Sequence, residues 1–525
     1  MILRFIFLFS FVLLTTISEA QPYLFPLNNE INQLIIANRS DTTYNFHSSL
    51  KPLREDELRF LPSTLDTLKV ERNGALNGLM NKDLISVKKN EFSLQLNPIL
   101  HAMMMTGTSN DSADQGSWIG AGLQVRMAAT QKLALGAEYT FSKMSFADYV
   151  ESGVNTVGIV PGMGVIDSSS RTNVFYTLYL NYAPTDYFSV ELGRGKQFIG
   201  HGYRSLLLSD NSMTYPYAKL TFNIWKLKYQ VLYSGYEHVT GIVNNETRFK
   251  SKYSTSNYLS INFGRNVQAG LFQTVVWQGQ NGTHDRGFDV NYLNPIVFMR
   301  PVEFSIGSPD NVLMGLDLAY TIFKKYKFYT QIALDEFLLS EIKAGDGWWA
   351  NKYGIQVGLK ACDLFAVKGL TIQLEHNQVR PYTYSHGNVV INYGNYHEEL
   401  AHTYGANFYE YVGNVNYVRH RWLFSLHMVH AKQGLDQGLG NYGGDIFKSN
   451  QTRVSGYGNF IGQGVPSDLS FQQVKVAYLV NPAWRLMFEF GYTSRQRFTR
   501  GEGAELSGMF NVGLKTALYN QYLDF

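Results

Sequence analysis

The chain has 525 residues, of which 45% are hydrophobic and 17% charged; it carries 35 Tyr, 34 Phe, 7 Trp, 47 Gly, 14 Pro and one Cys. Few charges and many aromatics exclude a disordered chain, and one cysteine excludes a disulfide framework or a cysteine-rich zinc site. A net charge of +3 offers no concentrated basic footprint for nucleic acid.

Met1 to Ala20 has the layout of a secretory signal peptide. Arg4 is the positive n-region, Phe5 to Leu14 the apolar stretch, and Ser18-Glu19-Ala20 a small-x-small cleavage site. The alternative, an anchoring helix, needs a longer apolar run and a stop-transfer flank. Cleavage would leave Gln21 first. No later run reaches about 18 apolar residues, so no spanning helix is expected. An exported, aromatic-rich, nearly cysteine-free chain is then either a soluble β-protein or an outer-membrane barrel.

Residues 21–90 form a segment apart. Asn29 to Ala37 and Pro52 to Leu61 could be short amphipathic helices, the second with Pro52 at its start and Glu55, Asp56 and Glu57 in its first turn. A small, partly helical periplasmic segment is expected, with a disordered linker as the alternative.

From Phe92 the hydrophobic period becomes two. Leu133, Leu135, Ala137, Tyr139 and Phe141 alternate with Ala134, Gly136, Glu138 and Thr140. Ile119 to Met127, Trp422 to Met428 and Trp484 to Tyr492 repeat the pattern. Strands are predicted near 92–104, 116–128, 132–143, 172–183, 187–197, 214–223, 225–237, 253–264, 266–277, 313–323, 327–337, 353–361, 370–379, 406–416, 419–430, 472–481, 484–494 and 508–522. That is about 18 strands, each near the length a tilted strand needs to cross a bilayer. Short connections near 130, 184, 224, 265, 325, 363–368, 418 and 482 alternate with long ones at 105–115, 144–171, 198–213, 238–252, 278–312, 338–352, 380–405, 431–471 and 495–507. Transmembrane barrels show this asymmetry, with short periplasmic turns and long outer loops. Hydrocarbon forbids an open sheet edge, so the strands must close. The fold class predicted is therefore all-β: residues 91–525 as a transmembrane antiparallel barrel in the outer membrane. Just beyond the last predicted strand the chain ends with Phe525, an aromatic terminus of the kind outer-membrane assembly reads.

Inward parity places both charge signs in the lumen, among them Arg126, Glu138, Glu191, Asp317, Glu375, Arg485 and Glu489. A barrel of this size is wide enough for water. His427 and His430 are three apart on a strand and point to opposite faces. His397, Glu398, Glu399 and His402 share a loop; a hydrated polar surface is the plainer reading than a metal site. Asp335-Glu336 and Glu398-Glu399 are adjacent carboxylates, more simply salt-bridged than catalytic. No nucleophile elbow or phosphate loop is present in its required context. Neither catalytic residues nor a cofactor nor a metal is assigned.

The loops offer binding chemistry. His201, Tyr203 and Arg204 lie in one, Trp348 and Trp349 in a second, and Arg380, Tyr382, Tyr384 and His386 in a third. Aromatic faces suit the apolar side of a pyranose, and planar polar groups its hydroxyls. The competing reading for each aromatic is loop packing or the outer girdle.

Several segments fall in a family order: Gly193-Arg194-Gly195-Lys196-Gln197-Phe198-Ile199-Gly200-His201-Gly202-Tyr203-Arg204-Ser205-Leu206, Asn294-Pro295, Arg300-Pro301-Val302-Glu303, Gly307-Ser308-Pro309-Asp310-Asn311, Asp335-Glu336-Phe337, Arg380-Pro381-Tyr382-Thr383-Tyr384-Ser385-His386, Leu400-Ala401-His402, Gly405-Ala406-Asn407 and Leu518-Tyr519-Asn520. Over roughly 90–525 the chain resembles the Wzi-type capsule assembly family, most closely its gliding-motility RemB-like branch. That resemblance implies a barrel with a small helical periplasmic element that holds capsular polysaccharide at the surface or acts in gliding. Its partners would be outer-membrane lipid, surface polysaccharide, and periplasmic or motility-machinery proteins. A porin-like diffusion channel and an outer-membrane enzyme acting on glycan or lipid are the alternatives.

Overall fold

The computed structural model describes residues 22–34, 47–58, 67–70, 74–243, 246–281, 284–293 and 310–525. The expected signal peptide at 1–20 lies outside them, as do residues 35–46 and 59–66. Eighteen antiparallel strands close into one barrel. They are β1 (Phe92–Ser109), β2 (Ser112–Thr130), β3 (Leu133–Ser145), β4 (Thr172–Thr185), β5 (Phe188–Gly195), β6 (Tyr215–Ile224), β7 (Leu227–Val243), β8 (Glu246–Phe263) and β9 (Val267–Gln278), followed by β10 (Asn311–Ile322), β11 (Tyr326–Glu336), β12 (Lys352–Cys362), β13 (Leu370–Val379), β14 (Phe408–Arg419), β15 (Trp422–Leu435), β16 (Val465–Asn481), β17 (Leu486–Thr499) and β18 (Gly503–Thr516). Every strand predicted from the alternation has its counterpart. The β18–β1 ladder, from Ser507↔Ser109 to Lys515↔His101, closes the ring.

The period of two sorts side chains as predicted. Ile119, Leu123, Tyr139, Phe141, Phe488 and Phe490 face outward and are exposed, while Gln124, Thr140, Glu191, Asp317, Gln331 and Glu489 face inward and are buried. An apolar belt outside and a polar lumen is the arrangement a bilayer imposes. No helix among the described residues is long and apolar enough to cross a membrane.

Three expected long loops are corrected. At 105–115, 238–252 and 495–507 the ladders run on: β1 and β2 pair to Ser109↔Ser112, β7 and β8 to Val243↔Glu246, β17 and β18 to Thr499↔Gly503. The first hairpin turns on Asn110 and Asp111, both with positive φ, at 46° and 64°. This is the mirror-image turn that suits the twist of paired strands. Loss of hydrophobic alternation marks where the bilayer ends, not where the hydrogen-bond ladder ends. The true long connections are 146–171, 196–214, 279–310, 337–351, 380–407 and 436–464, all at one end of the barrel. We call this the loop end and the other the turn end.

The last strand is also corrected. It stops at Thr516, and residues 517–525 bend into the lumen, so Phe525 is not on an amphipathic final strand. The reason lies on β1. Below His101 its edge is taken by the short strand Ile85–Lys89, which pairs from Ile85↔Leu96 to Lys89↔Phe92. The chain after Thr516 finds no free edge to follow, whereas the lumen offers partners for its polar groups.

The segment before the barrel enters the turn end of the lumen. Glu55 binds Arg126 at 2.6 Å, Glu57 binds Lys228 at 2.8 Å, and Tyr258 Oη donates to Ser49 Oγ at 3.0 Å. Leu27 and Tyr519 form a parallel bridge, so this segment and residues 517–525 are tied together. The helix expected over 52–61 is, within the described residues, one 3-10 turn at Glu55–Glu57. Glu55 and Glu57 are committed to cations of the wall and Asp56 to Arg54 beside it, rather than to a helix start. The helix expected over 29–37 is described only as Asn29–Asn32, capped by Asn28 Oδ1 accepting from the Ile31 amide. A helix the sequence reading does not anticipate, Ala75–Asn81, docks at the turn end, where buried Arg421 donates to the Leu68 and Met80 carbonyls at 2.6 and 3.0 Å.

Candidate functional site

Two of the loops singled out from sequence, 196–214 and 380–407, fold inward and fill the middle of the lumen. Leu206, Leu207 and Leu208 are fully buried there, packed among Tyr215, Tyr258, Phe272, Tyr384 and Tyr393. Burying a leucine contributes about 2 kcal/mol. In this Leu-Leu-Leu run Leu208 bridges to Ile199, and tyrosines satisfy the other two carbonyls: Tyr384 Oη donates to Leu206 at 2.8 Å and Tyr393 Oη to Leu207 at 2.7 Å. Tyr382 and Tyr384 are held at φ of 66° and 69°, a strained region for a bulky residue that only dense surroundings maintain. Gly202 sits where a Cβ would lie 2.4 Å from Glu375 Oε2, which explains the glycine in the Gly200-His201-Gly202 run.

An ionic cluster supports this filling. Arg204 reaches Glu410 and Asp524, each at 3.0 Å, and is 2% exposed. Tyr203 Oη donates to Asp524 at 3.0 Å, and the amides of Tyr203 and Arg204 donate to Glu375 at 2.8 and 3.1 Å. His427 and His402 bind Asp524 and Glu410, each at 2.7 Å. Burial works to raise the Asp524 carboxyl, but Arg204 and then His427 outweigh it and hold the group far below the carboxylate range. Glu398 accepts from the Gly162 and Met213 amides at 2.5 and 2.9 Å, joining three loops; burial pushes its carboxyl up to about 7.

The nine residues read from sequence as saccharide contacts therefore divide. His201, Tyr203, Arg204, Tyr382 and Tyr384 belong to the packed interior, where His201 Nε2 meets Asp317 at 3.3 Å. Trp348, Trp349, Arg380 and His386 are half-buried at the loop end. There the loops 337–351 and 436–464 are stitched together: the Gly458 amide donates to the Asp346 carbonyl at 2.8 Å and the Trp349 amide to the Gly456 carbonyl at 3.0 Å. Arg380 clamps the seam, donating to the Asn351 and Asn459 carbonyls at 2.8 and 3.3 Å. Arg453 lies 4.2 Å from the centre of the Trp349 ring. Tyr457 and Phe460, 53% and 62% exposed, extend this platform. The sequence reading does not single out Arg453, Tyr457 or Phe460. The signal is present in Gly456-Tyr457-Gly458-Asn459-Phe460, but the loop's partner lies about a hundred residues upstream.

The adjacent carboxylates have structural partners. Asp335 accepts from the Tyr384 amide at 2.8 Å, and Glu336 binds Lys352 at 3.1 Å. His397 stacks on Phe447 at 4.1 Å while His402 is bound to Glu410. Among the described residues no three His, Cys, Asp or Glu groups converge as metal ligands. Beside the packed loops the lumen keeps a cavity of about 560 Å³, lined from Trp118, Phe146 and Tyr149 on the loop side to Arg265 and Lys325 at the turns, with polar and apolar side chains mixed along it.

No protein-family model and no curated protein sequence matches the chain. Among solved structures it is similar to Wzi of Escherichia coli, described as an outer-membrane protein involved in group 1 capsule assembly and as a carbohydrate-binding β-barrel. Identity is 11%, TM-score 0.53, and the match covers 93% of this chain and 98% of that one. It also matches OccK8 (OprE) of Pseudomonas aeruginosa, at 9% identity and TM-score 0.43 over 80% of this chain and 97% of that one. OccAB2 of Acinetobacter baumannii matches at 10% identity and TM-score 0.43, over 80% and 96%. The likeness to Wzi is one of architecture: this chain has the fold of an outer-membrane β-barrel.

Proposed function

We propose that this protein is a non-enzymatic outer-membrane barrel that binds or organises cell-surface polysaccharide, with the loop end outside and the turn end in the periplasm. The observation that carries this reading is the lumen filled at mid-height by the loops 196–214 and 380–407, with Ser205 to Leu208 fully buried. A barrel so filled presents a surface rather than a conduit. The surface it presents carries Trp348, Trp349, Arg453, Tyr457 and Phe460, which together offer rings and a cationic donor to sugars. The description of Wzi as a carbohydrate-binding barrel supports the same reading. A long polymer offers repeated epitopes, so weak contacts at such a platform hold it by avidity. No energy source is required. The resemblance to the RemB-like branch extends the proposal to a surface role in gliding, with force supplied by a separate machine.

The test compares cells with and without the chain for polysaccharide in the cell-bound and released fractions. A shift to the released fraction, reproduced by Trp348→Ala with Tyr457→Ala, is expected. An unchanged partition would sink the retention role. The channel reading draws on the lumen cavity, whose lining reaches from the loop 146–171 to the turns at Arg265 and Lys325. Steady conductance of the purified barrel in a planar bilayer would favour it.

A further inference from the structure

Among the described residues, most cations inside this barrel are matched. Arg126 and Arg485 meet Glu55, Lys228 meets Glu57, Lys219 meets Glu191, and Lys515 meets both Glu30 and Glu489. Buried cations without a carboxylate, such as Arg421 and Lys252, are bonded to carbonyl oxygens. This is what the cost of desolvating an unpaired charge demands.

Lys51, Lys327 and Lys360 depart from the pattern. All three line the 560 Å³ cavity. Lys327 and Lys360 are direct partners across the β11–β12 ladder, an arrangement that is unfavourable for like charges. Lys51 comes from the segment before the barrel and lies 4.5 Å over the Phe198 ring. Among the described residues none of the three has a carboxylate within ion-pair distance, and their one hydrogen bond runs from Lys327 Nζ to Ser48 Oγ at 3.3 Å. The nearest acids are already engaged. Asp317 accepts from Tyr258 and Gln331 at 3.1 Å and meets His201, and Asp210 accepts from Asn520 and Tyr522 at 2.8 Å. Burial keeps His201 below its usual value despite Asp317, so it adds little charge. Burial, then Lys360 among its neighbours, lowers Lys51 to about 8. The cavity reaches the turn end, where Arg265 and Lys325 of two neighbouring turns also line it.

We propose that Lys51, Lys327 and Lys360 form an anion-binding subsite in the turn-end half of the lumen, taking a phosphoryl or carboxylate group that enters from the turn side. The ammonium groups supply compact charge and several donors each, and the anion relieves their repulsion. The subsite is independent of the outer platform, so loss of glycan retention would not remove it. The carrier of the anion is either a phosphorylated molecule or an acidic sugar.

The test is isothermal titration of the purified barrel in detergent at low ionic strength with inorganic phosphate and with D-galacturonate. Phosphate binding alone assigns the site to phosphoryl groups; binding of both assigns it to anionic sugars as well. Lys327→Gln and Lys360→Gln should each weaken binding about tenfold and the double variant about a hundredfold, while Lys324→Gln in the adjacent turn changes nothing. No heat with either anion, or equal affinity in all variants, overturns the proposal. A second measurement needs no variant: acetylation of the wild-type protein followed by mass spectrometry. Phosphate should slow acetylation of all three lysines and leave Lys324 unaffected; equal rates with and without phosphate overturn the proposal.

Discussion

The loop-side filling around Leu206–Leu208 and the turn-side residues 22–34 and 47–58 occupy one lumen but are held differently. The first is continuous with the wall at both ends of each loop and joins an apolar centre, pinned by tyrosine hydroxyls on backbone carbonyls, to the buried ion pairs of Arg204. The second docks through an apolar cluster, Phe25, Ile31, Leu34, Leu53 and Leu58 against Leu423, Leu479 and Met487 of the wall, and through ion pairs, with Glu30 on Lys475 and Lys515, Glu55 on Arg126 and Arg485, and Glu57 on Lys228. Apolar burial does not respond to pH or salt as a set of carboxylates does. The turn side, a separate stretch of chain before the first strand of the barrel, should therefore loosen before the loop side does when its carboxylates are protonated.

The hardest way to break that contrast is Arg204→Ala. It leaves Glu410 and Asp524 buried without their cation, at a cost of about 3–5 kcal/mol. Thermal unfolding should fall sharply, and the variant should conduct in a planar bilayer if the packed loops loosen. A wild-type melting curve would show that the ion pairs, not the Leu run, are dispensable on the loop side.

Next in size is Glu30→Gln, which leaves Lys475 and Lys515 to Glu489 of the wall. It should free residues 22–34 and 47–58 for limited proteolysis while the barrel keeps its melting temperature. Acid should do the same without mutation. Burial works to raise the Glu30 carboxyl, but Lys475 and Lys515 outweigh it and hold it at about 2, below its ordinary 4.5. Its contribution is thus complete above about pH 4.5 and lost as pH falls toward 2. Cleavage within residues 22–34 and 47–58 by an acid-active protease should rise across that window.

Glu398 gives a smaller effect of opposite sign. Its folded value near 7 lies above the ordinary 4.5, so the folded state holds the proton more tightly. Its stabilising contribution is present below about pH 4.5 and declines as pH rises to 7. Melting measured from pH 4.5 to 8 should show this decline in the wild type and a flatter profile in Glu398→Gln. The smallest effect on stability belongs to Trp348→Ala on the outer platform, within about 0.5 kcal/mol. Its effect should appear only in polysaccharide retention.

Much of this architecture is legible without coordinates. The alternation of Leu133 to Phe141 or Trp484 to Tyr492 needs no distant partner to be seen, and lumen residues such as Glu138, Glu375 and Glu489 follow from the same parity. The candidate site was legible as chemistry but not as position. Tyr382 and Trp349 look alike in sequence; one ends up buried with its hydroxyl on the Asn441 carbonyl of the loop 436–464, and its neighbour in space, 6.3 Å away between ring centres, is half-exposed at the rim.

Strand period, strand number, and the side on which long connections fall were determined by the sequence itself, because they rest on residues one, two or ten apart. Which end of an alternating stretch stays in the wall was not. Leu518 to Phe525 has the composition of a strand end, and only the occupation of the β1 edge by Ile85–Lys89 sends it into the lumen. The same holds for Lys51, Lys327 and Lys360, which are hundreds of residues apart or on separate strands and become one electrostatic problem only when the barrel closes.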